Sequence, residues 1–281
     1  MYIKKKKLQQ IILIILKRLK SLNFFLFLMN HEERISLAKR VTDYLLDRHK
    51  DVVAVCIQGS TAHNEDREYS DLEMVVITKG ESDTDFYQLV YEGIVVEIEF
   101  ISEKDVRRIA ASADRNWPFS ADGWINCLSM HDEKQLLPEV AVLTANPAEK
   151  NIETSMRRAM TEMCEDLGKI RNFASAKEHN MVRFMSPFIA YNAARFLSLL
   201  NRQYYNGTRN LLTKPKEFEK LPEHFWDDYP ALLTVSLDAE ELIKRSERLY
   251  KNCYDLWRKQ GHDFFKAETF EKMLELGHVL K

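Results

Sequence analysis

The stretch from Ile57 to Ile77, IQGSTAHNEDREYSDLEMVVI, constrains this chain more than any other part of it. A β-branched run from Val52 ends in Gln58-Gly59-Ser60, ten residues separate Ser60 from Asp71, and Asp71-Leu72-Glu73 opens the next apolar run, which ends at Thr78. This pattern predicts strand, turn and strand in order. Gly59 lets the backbone come close to a ligand, and Ser60 adds a hydroxyl and N–H groups suited to a phosphate. Asp71 and Glu73 stand two apart on a strand, so both carboxylates point to one face. Paired hard oxygen ligands on a rigid strand suit Mg²⁺, which binds through one or two carboxylates plus substrate phosphates.

The next strand signal, Ile94 to Ile101 (IVVEIEFI), alternates Val95, Glu97 and Glu99 on one face with Ile94, Val96, Ile98 and Phe100 on the other. Glu97 or Glu99 would supply a third carboxylate. Sites of that composition hold the attacking and leaving oxygens of an in-line phosphoryl displacement, so the reaction class is nucleotidyl transfer. Taken singly, Gly-Ser is a common turn, and Asp-x-Glu is commoner still in a chain with 43 acidic residues. The specificity lies in their order.

Around this stretch the chain reads as α+β. His31 to Leu46 carries Ile35, Leu37, Val41, Leu45 and Leu46 near helical spacing, with Glu32 and Glu33 in the first turn. Further helix is expected after Ser102. From Ala148 onward strand signals give way to long helical windows over Ile152–Phe173, Met181–Tyr205 and Ala239–Gln260, the last stopping at Gly261. The expected organisation is a mixed-sheet domain over 29–146 and an all-helical domain over 147–281.

The formal net charge of −2 hides an asymmetry. Residues 1–28 hold seven basic residues and no acid, which leaves 34 Lys and Arg against 43 Asp and Glu in the rest, a body of −9. Such a body disfavours nonspecific nucleic-acid binding, which depends on neutralising phosphates, and suits a cationic partner. The basic, apolar leader lacks a cleavage site, and Lys17, Arg18 and Lys20 interrupt its apolar run. Neither uncharged stretch approaches the ~20 apolar residues that cross a bilayer. The leader is expected to lie outside the fold, with Met29 opening it and no membrane contact. Cys56, Cys127, Cys164 and Cys253 form no C-x-x-C pair and read as reduced thiols of a cytoplasmic protein.

The combination resembles the nucleotidyltransferase superfamily, whose signature is Gly-Ser, about ten residues, then Asp-x-Asp/Glu. Within it the chain is most similar to the kanamycin nucleotidyltransferase (aminoglycoside 4′-O-nucleotidyltransferase) family. The likeness runs from Met29 to about Asp263. It rests on HEERISLAKRV, QGSTAHNEDREYSDLEMVVI, VEIEF, DRNWPFS, CEDLGKIRN and LWRKQGH in that order.

The resemblance implies a DNA-polymerase-β-like domain followed by a helical bundle, a homodimer, and transfer of a nucleoside monophosphate from Mg²⁺·ATP, or another nucleoside triphosphate, to an aminoglycoside hydroxyl. It implies that Gly59 and Ser60 hold the triphosphate, with His63 where the family has an arginine. It also implies that Asp71, Glu73 and Glu97 bind Mg²⁺, that Glu165 is the general base, and that Lys169 contacts phosphate and substrate. On residues alone, Glu165 and Lys169 lie opposite the apolar stripe Met156, Met160, Met163, Leu167 and Ile170, which is the position of an exposed i,i+4 salt bridge. Val95 replaces a family lysine, and Gln88 lies near an expected acidic substrate contact. These departures keep two rivals open: a same-fold enzyme with a non-antibiotic acceptor, and a low-turnover nucleotide-binding or toxin-neutralising module. Trp117, Phe119 and Trp124 are candidates for a sugar floor, with core packing as the ordinary alternative. Asp114 and Asp122 are candidates for attracting an amino sugar.

Overall fold

The computed structural model describes residues 29–80, 85–264 and 271–272; the leader expected to stand apart from the fold lies outside these residues. The chain divides into two compact units, one of residues up to 108 with 123–142, the other of 109–122 with 143 onward.

The first unit is built on a five-stranded sheet of order β3-β4-β2-β1-β5. Its strands are β1 (Val52–Gln58), β2 (Leu72–Thr78), β3 (Asp85–Tyr91), β4 (Ile94–Ser102) and β5 (Leu128–Asp132). β2 and β4 run parallel and the other neighbours antiparallel. Helix α1 (His31–Arg48) starts at a capping box in which the Asn30 side chain accepts from the Glu33 N–H while Glu33 accepts from the Asn30 N–H. Its residues Leu37, Ala38 and Leu45 share a core with Val55, Ile57, Leu72, Met74, Val76, Ile94, Val96 and Ile98. These strand residues alternate. The intervening residues Gln58, Glu73, Val95, Glu97 and Glu99 therefore face away from α1. On that second face the sheet is apolar at Ala54, Ile77 and Ile101, all buried, and becomes acidic toward the start of β2 and of the neighbouring part of β4.

The buried stripe of α1 is rotated from the one its aliphatic residues suggest. Arg34 and Thr42 lie in it, both buried, while Ile35, Val41 and Leu46 are only partly covered. Arg34 stays inside because each of its three guanidinium nitrogens donates to a buried or loop acceptor. Its Nη1 donates to Asp66 Oδ2 at 2.8 Å, Nη2 to the carbonyls of Arg67, Glu68 and Ser70 at 2.8, 3.1 and 2.9 Å, and Nε to Ser70 again at 3.2 Å. His31 Nδ1 pairs with the other Asp66 oxygen at 2.6 Å. One guanidinium thus ties down the loop that runs from Ser60 to Asp71.

The second unit is helical. Its long members are α6 (Glu149–Ser175), α7 (His179–Asn201) and α9 (Ala239–Lys259), with α8 (Phe225–Thr234) between α7 and α9. The earlier helices are the one-turn α2 (Gly59–Ala62), α3 (Glu103–Ser112), α4 (Trp117–Ile125) and α5 (Leu136–Ala145). The apolar stripe of α6 is buried, as its spacing predicts. Asp228 of α8 is fully buried and clamped by Arg248 at 2.5 and 2.8 Å and by Arg245 at 3.4 Å. Trp117 is a core residue rather than part of a sugar floor, and Phe119 is half-buried. Trp117 is buried and donates to the Thr144 carbonyl at 3.0 Å, and Phe119 stacks on Tyr191 and Tyr205 with centroids 4.7 and 5.3 Å away. Trp124, in the first unit, is also buried. Asp114 caps the following turn by accepting the Asn116 and Trp117 N–H groups at 2.8 and 3.1 Å, and Asp122 is buried. All four cysteines are free. Cys56 and Cys127 nevertheless meet: the Cys56 thiol donates to Cys127, which draws the Cys127 thiol down and helps push Cys56 up. Among the described residues no helix is long and apolar enough to cross a membrane.

Candidate active site

β1 runs into α2 at Gly59, whose φ of +63° lies in the left-handed region. A second feature favours glycine here: a β-carbon at this position would press on the Glu73 carboxylate and displace it. The glycine therefore does two things at once, turning the strand into α2 and leaving room for an acidic side chain on β2.

Strand register arranges the rest. Gln88 of β3 lies opposite Glu97 of β4, Glu97 lies beside Glu73 of β2, and Glu73 lies opposite Gln58 of β1. One row across the sheet thus reads Gln-Glu-Glu-Gln, with Asp71 one step further along the same face. Asp71, Glu73 and Glu97 each place a carboxylate oxygen within 4.8 Å of the others, and all three are half-buried. Of the two glutamates offered by VEIEF, Glu97 joins this cluster, because the parallel pairing of β2 with β4 sets Glu73 beside Glu97 and Val75 beside Glu99. Glu99 lies one row away, where burial raises its pKa.

The residues fit a divalent cation and a phosphate chain. Three carboxylates so close repel one another unless a cation or a proton is shared among them, and oxygen-only donors suit Mg²⁺. Beside them, the hydroxyls of Ser60 and Thr61 and the Gln58 amide nitrogen are buried and make no hydrogen bond. A buried polar atom left so calls for an explanation, and an anionic ligand accepting from these donors is one. His63 ends α2 as its C-terminal cap and is half-buried. Val95 lies on the carboxylate face, opposite Val90. Thr61 and Gln58 carry no signal in the sequence beyond lying next to Gly-Ser; only their burial singles them out.

Glu165 and Lys169 belong to α6 in the second unit. They form a salt bridge at 2.8 Å, with side chains 65% and 47% exposed, and Lys169 also reaches Asp166 at 3.5 Å. The bond to Glu165 raises the Lys169 pKa and keeps it a cation. Asp166 is buried enough that desolvation raises its pKa, and it accepts from Asn192 Nδ2 of α7 at 3.0 Å. Asn192 in turn accepts from Arg195 at 3.0 Å, and Arg195 pairs with Glu162 at 3.0 Å. The Glu165–Lys169 pair thus rests on a network that anchors its helix turn to α7. The sequence reading missed Asp166 and Asn192, whose polar side chains give no periodicity signal.

Comparison with known proteins bears on this arrangement. The family model described as the KNTase C-terminal domain matches residues 134–263. An aminoglycoside nucleotidyltransferase (4′) from Bacillus sp is 22% identical over 238 residues, spanning 84% of this chain and 94% of that protein. A protein of the same description from Staphylococcus aureus is 23% identical over 239 residues, with the same coverage. Among solved structures, a nucleotidyltransferase-like protein from Exiguobacterium sibiricum shares the fold with a TM-score of 0.50 at 12% identity, over 86% of this chain and 87% of that one.

Proposed function

We propose that the chain is a nucleotidyltransferase of the kind its relatives represent, and that it moves a nucleoside monophosphate from Mg²⁺·ATP, or another nucleoside triphosphate, to a hydroxyl of an aminoglycoside such as kanamycin, releasing pyrophosphate. A host would become resistant to an antibiotic so modified. The observation that carries this reading is the clustering of Asp71, Glu73 and Glu97 beside Gly59 and the unpartnered Ser60 hydroxyl.

In this reading Asp71, Glu73 and Glu97 hold Mg²⁺. Bound there, the ion supplies positive charge that offsets the charge developing on the phosphoryl oxygens. Ser60 and the backbone at Gly59 hold the triphosphate, and Gln58 and Thr61 offer two further donors. His63 takes the position of the family arginine. Glu165 removes the proton from the acceptor hydroxyl, the freed oxygen attacks the α-phosphorus, and the bond to pyrophosphate breaks. Lys169, kept protonated by Glu165, offsets negative charge at the phosphates. We keep 29–146 as the nucleotidyltransferase domain and 147–281 as the helical domain, in a cytoplasmic homodimer.

A second reading, the same chemistry on a non-antibiotic acceptor, is favoured by one observation. Val95, which stands where the family has a cation, lies on the carboxylate face, where an acceptor would meet it. One assay separates the two: pyrophosphate release with Mg²⁺·ATP, measured against a panel of aminoglycosides and of neutral polyols. Release that depends on an aminoglycoside supports the first reading. Release with a neutral acceptor alone supports the second, and no release with any acceptor contradicts both.

A further inference from the structure

One polar residue that touches the carboxylate cluster is not an acid. Gln88 stands on β3, the edge strand, directly opposite Glu97, and its Nε2 donates to Glu97 Oε1 at 2.5 Å. Edge-strand side chains facing solvent ordinarily make loose contacts. Phe86 and Val90, the neighbours of Gln88 on this face, are 57% and 70% exposed, so they give its side chain little lateral packing. The short contact to Glu97 is what gives it a defined place.

Glu97 needs such a contact. It belongs to a strand with only β3 outside it, it carries the same charge as Glu73 and Asp71 within 4.8 Å, and the simplest response to that repulsion is to swing toward solvent over the edge. An amide donor on the outer side opposes this. It occupies one oxygen of Glu97 and leaves the other for a cation. Being neutral, it neither competes for the metal as a fourth carboxylate would, nor drains the charge of the site as a lysine would. Hydrogen-bonded partners of metal-binding carboxylates commonly set affinity in this way.

We infer that Gln88 is a positioning residue that holds the Glu97 carboxylate in the metal-binding arrangement. The inference rests on the reading of Asp71, Glu73 and Glu97 as metal ligands.

The test uses the full chain and Mn²⁺ as the probe, with free Mn²⁺ counted by electron paramagnetic resonance. Gln88→Leu keeps much of the side-chain volume and removes the donor. It is expected to raise the Mn²⁺ dissociation constant about tenfold, the lower end of what loss of such a partner does. Gln88→Met, nearly isosteric and likewise without a donor, is expected to raise it by a similar factor. In the transfer assay both variants need proportionally more Mg²⁺ for half-maximal rate, and Gln88→Leu regains wild-type kcat to within twofold at saturating Mg²⁺. A role confined to strand stability would lower the melting temperature and leave a deficit that added metal does not repair. Affinity within twofold of wild type in both variants overturns the assignment of Gln88 while leaving the metal site standing. A wild-type chain that binds no Mn²⁺ overturns the metal reading itself, and with it the role of Gln88.

Discussion

At the scale of single residues, Asp71, Gly59 and Glu165 are sharply separable. Asp71→Asn keeps the shape and removes a charge, so it should abolish metal-dependent transfer while leaving the melting temperature near that of wild type. Glu165→Gln should lower kcat by about 10²–10⁴, the usual contribution of a positioned base, and leave Mn²⁺ affinity unchanged because the residue is not in the carboxylate cluster. Gly59→Ala should do both kinds of damage. Its φ of +63° costs a β-carbon of order 1–3 kcal/mol, and that carbon would also displace Glu73. Chemical denaturation and Mn²⁺ binding on the same sample check both. Asp71 and Gly59 were legible in the sequence because strand alternation and fixed spacing carry them, whereas Glu165 stood out only through the family resemblance. Alternation leaves Glu97 and Glu99 equivalent, since both point to the same face; the resemblance names Glu97, and the register of β4 against β2 sets it beside Glu73. Gln88 was legible only as a departure from a family pattern. Its bond to Glu97 depends on a hairpin pairing that no local signal encodes.

At the scale of elements, α1 is the instructive case. Its aliphatic residues predict a helix, and a helix forms, yet the buried face carries Arg34 where an apolar residue would be expected. The reason lies 32 to 36 positions away, in Asp66 and the carbonyls of the loop leading to Asp71. Arg34→Met should therefore destabilise the first unit by about 3–5 kcal/mol, because it strands the buried Asp66 carboxylate. Arg34→Lys should recover little, since an ammonium cannot serve Asp66 and three carbonyls in one plane. Urea unfolding measures both, and a loss below 1 kcal/mol for Arg34→Met would contradict this account of the loop. Strands β3 and β5 escaped the sequence reading for a related reason. They are the two edges of the sheet, covered on less of their surface, and so DFYQLVY and LSMHD carry no continuous apolar run. Helix α8 escaped because Pro230 interrupts its pattern, whereas the window over α7 was long enough to be read through Pro187.

At the scale of the whole molecule, charge and chemistry come together. The −9 outside residues 1–28 is not spread idly over the surface: three of its carboxylates form the candidate metal site, and the remainder favours approach of a polycation. Long-range attraction of that kind is screened within about 8 Å at physiological salt. Raising ionic strength should therefore raise KM for a polycationic acceptor several-fold while altering KM for a neutral acceptor little, and equal salt sensitivity for both would show that the net charge plays no part in recognition. The central claim, that Asp71, Glu73 and Glu97 serve transfer of a nucleotide to an acceptor, is tested most directly by the mass of the acceptor itself. Kanamycin incubated with the protein, Mg²⁺ and ATP should gain the mass of one adenylyl group, and should gain nothing with Asp71→Asn. An acceptor that keeps its mass with the wild-type protein, or gains the group equally well with Asp71→Asn, would contradict the account.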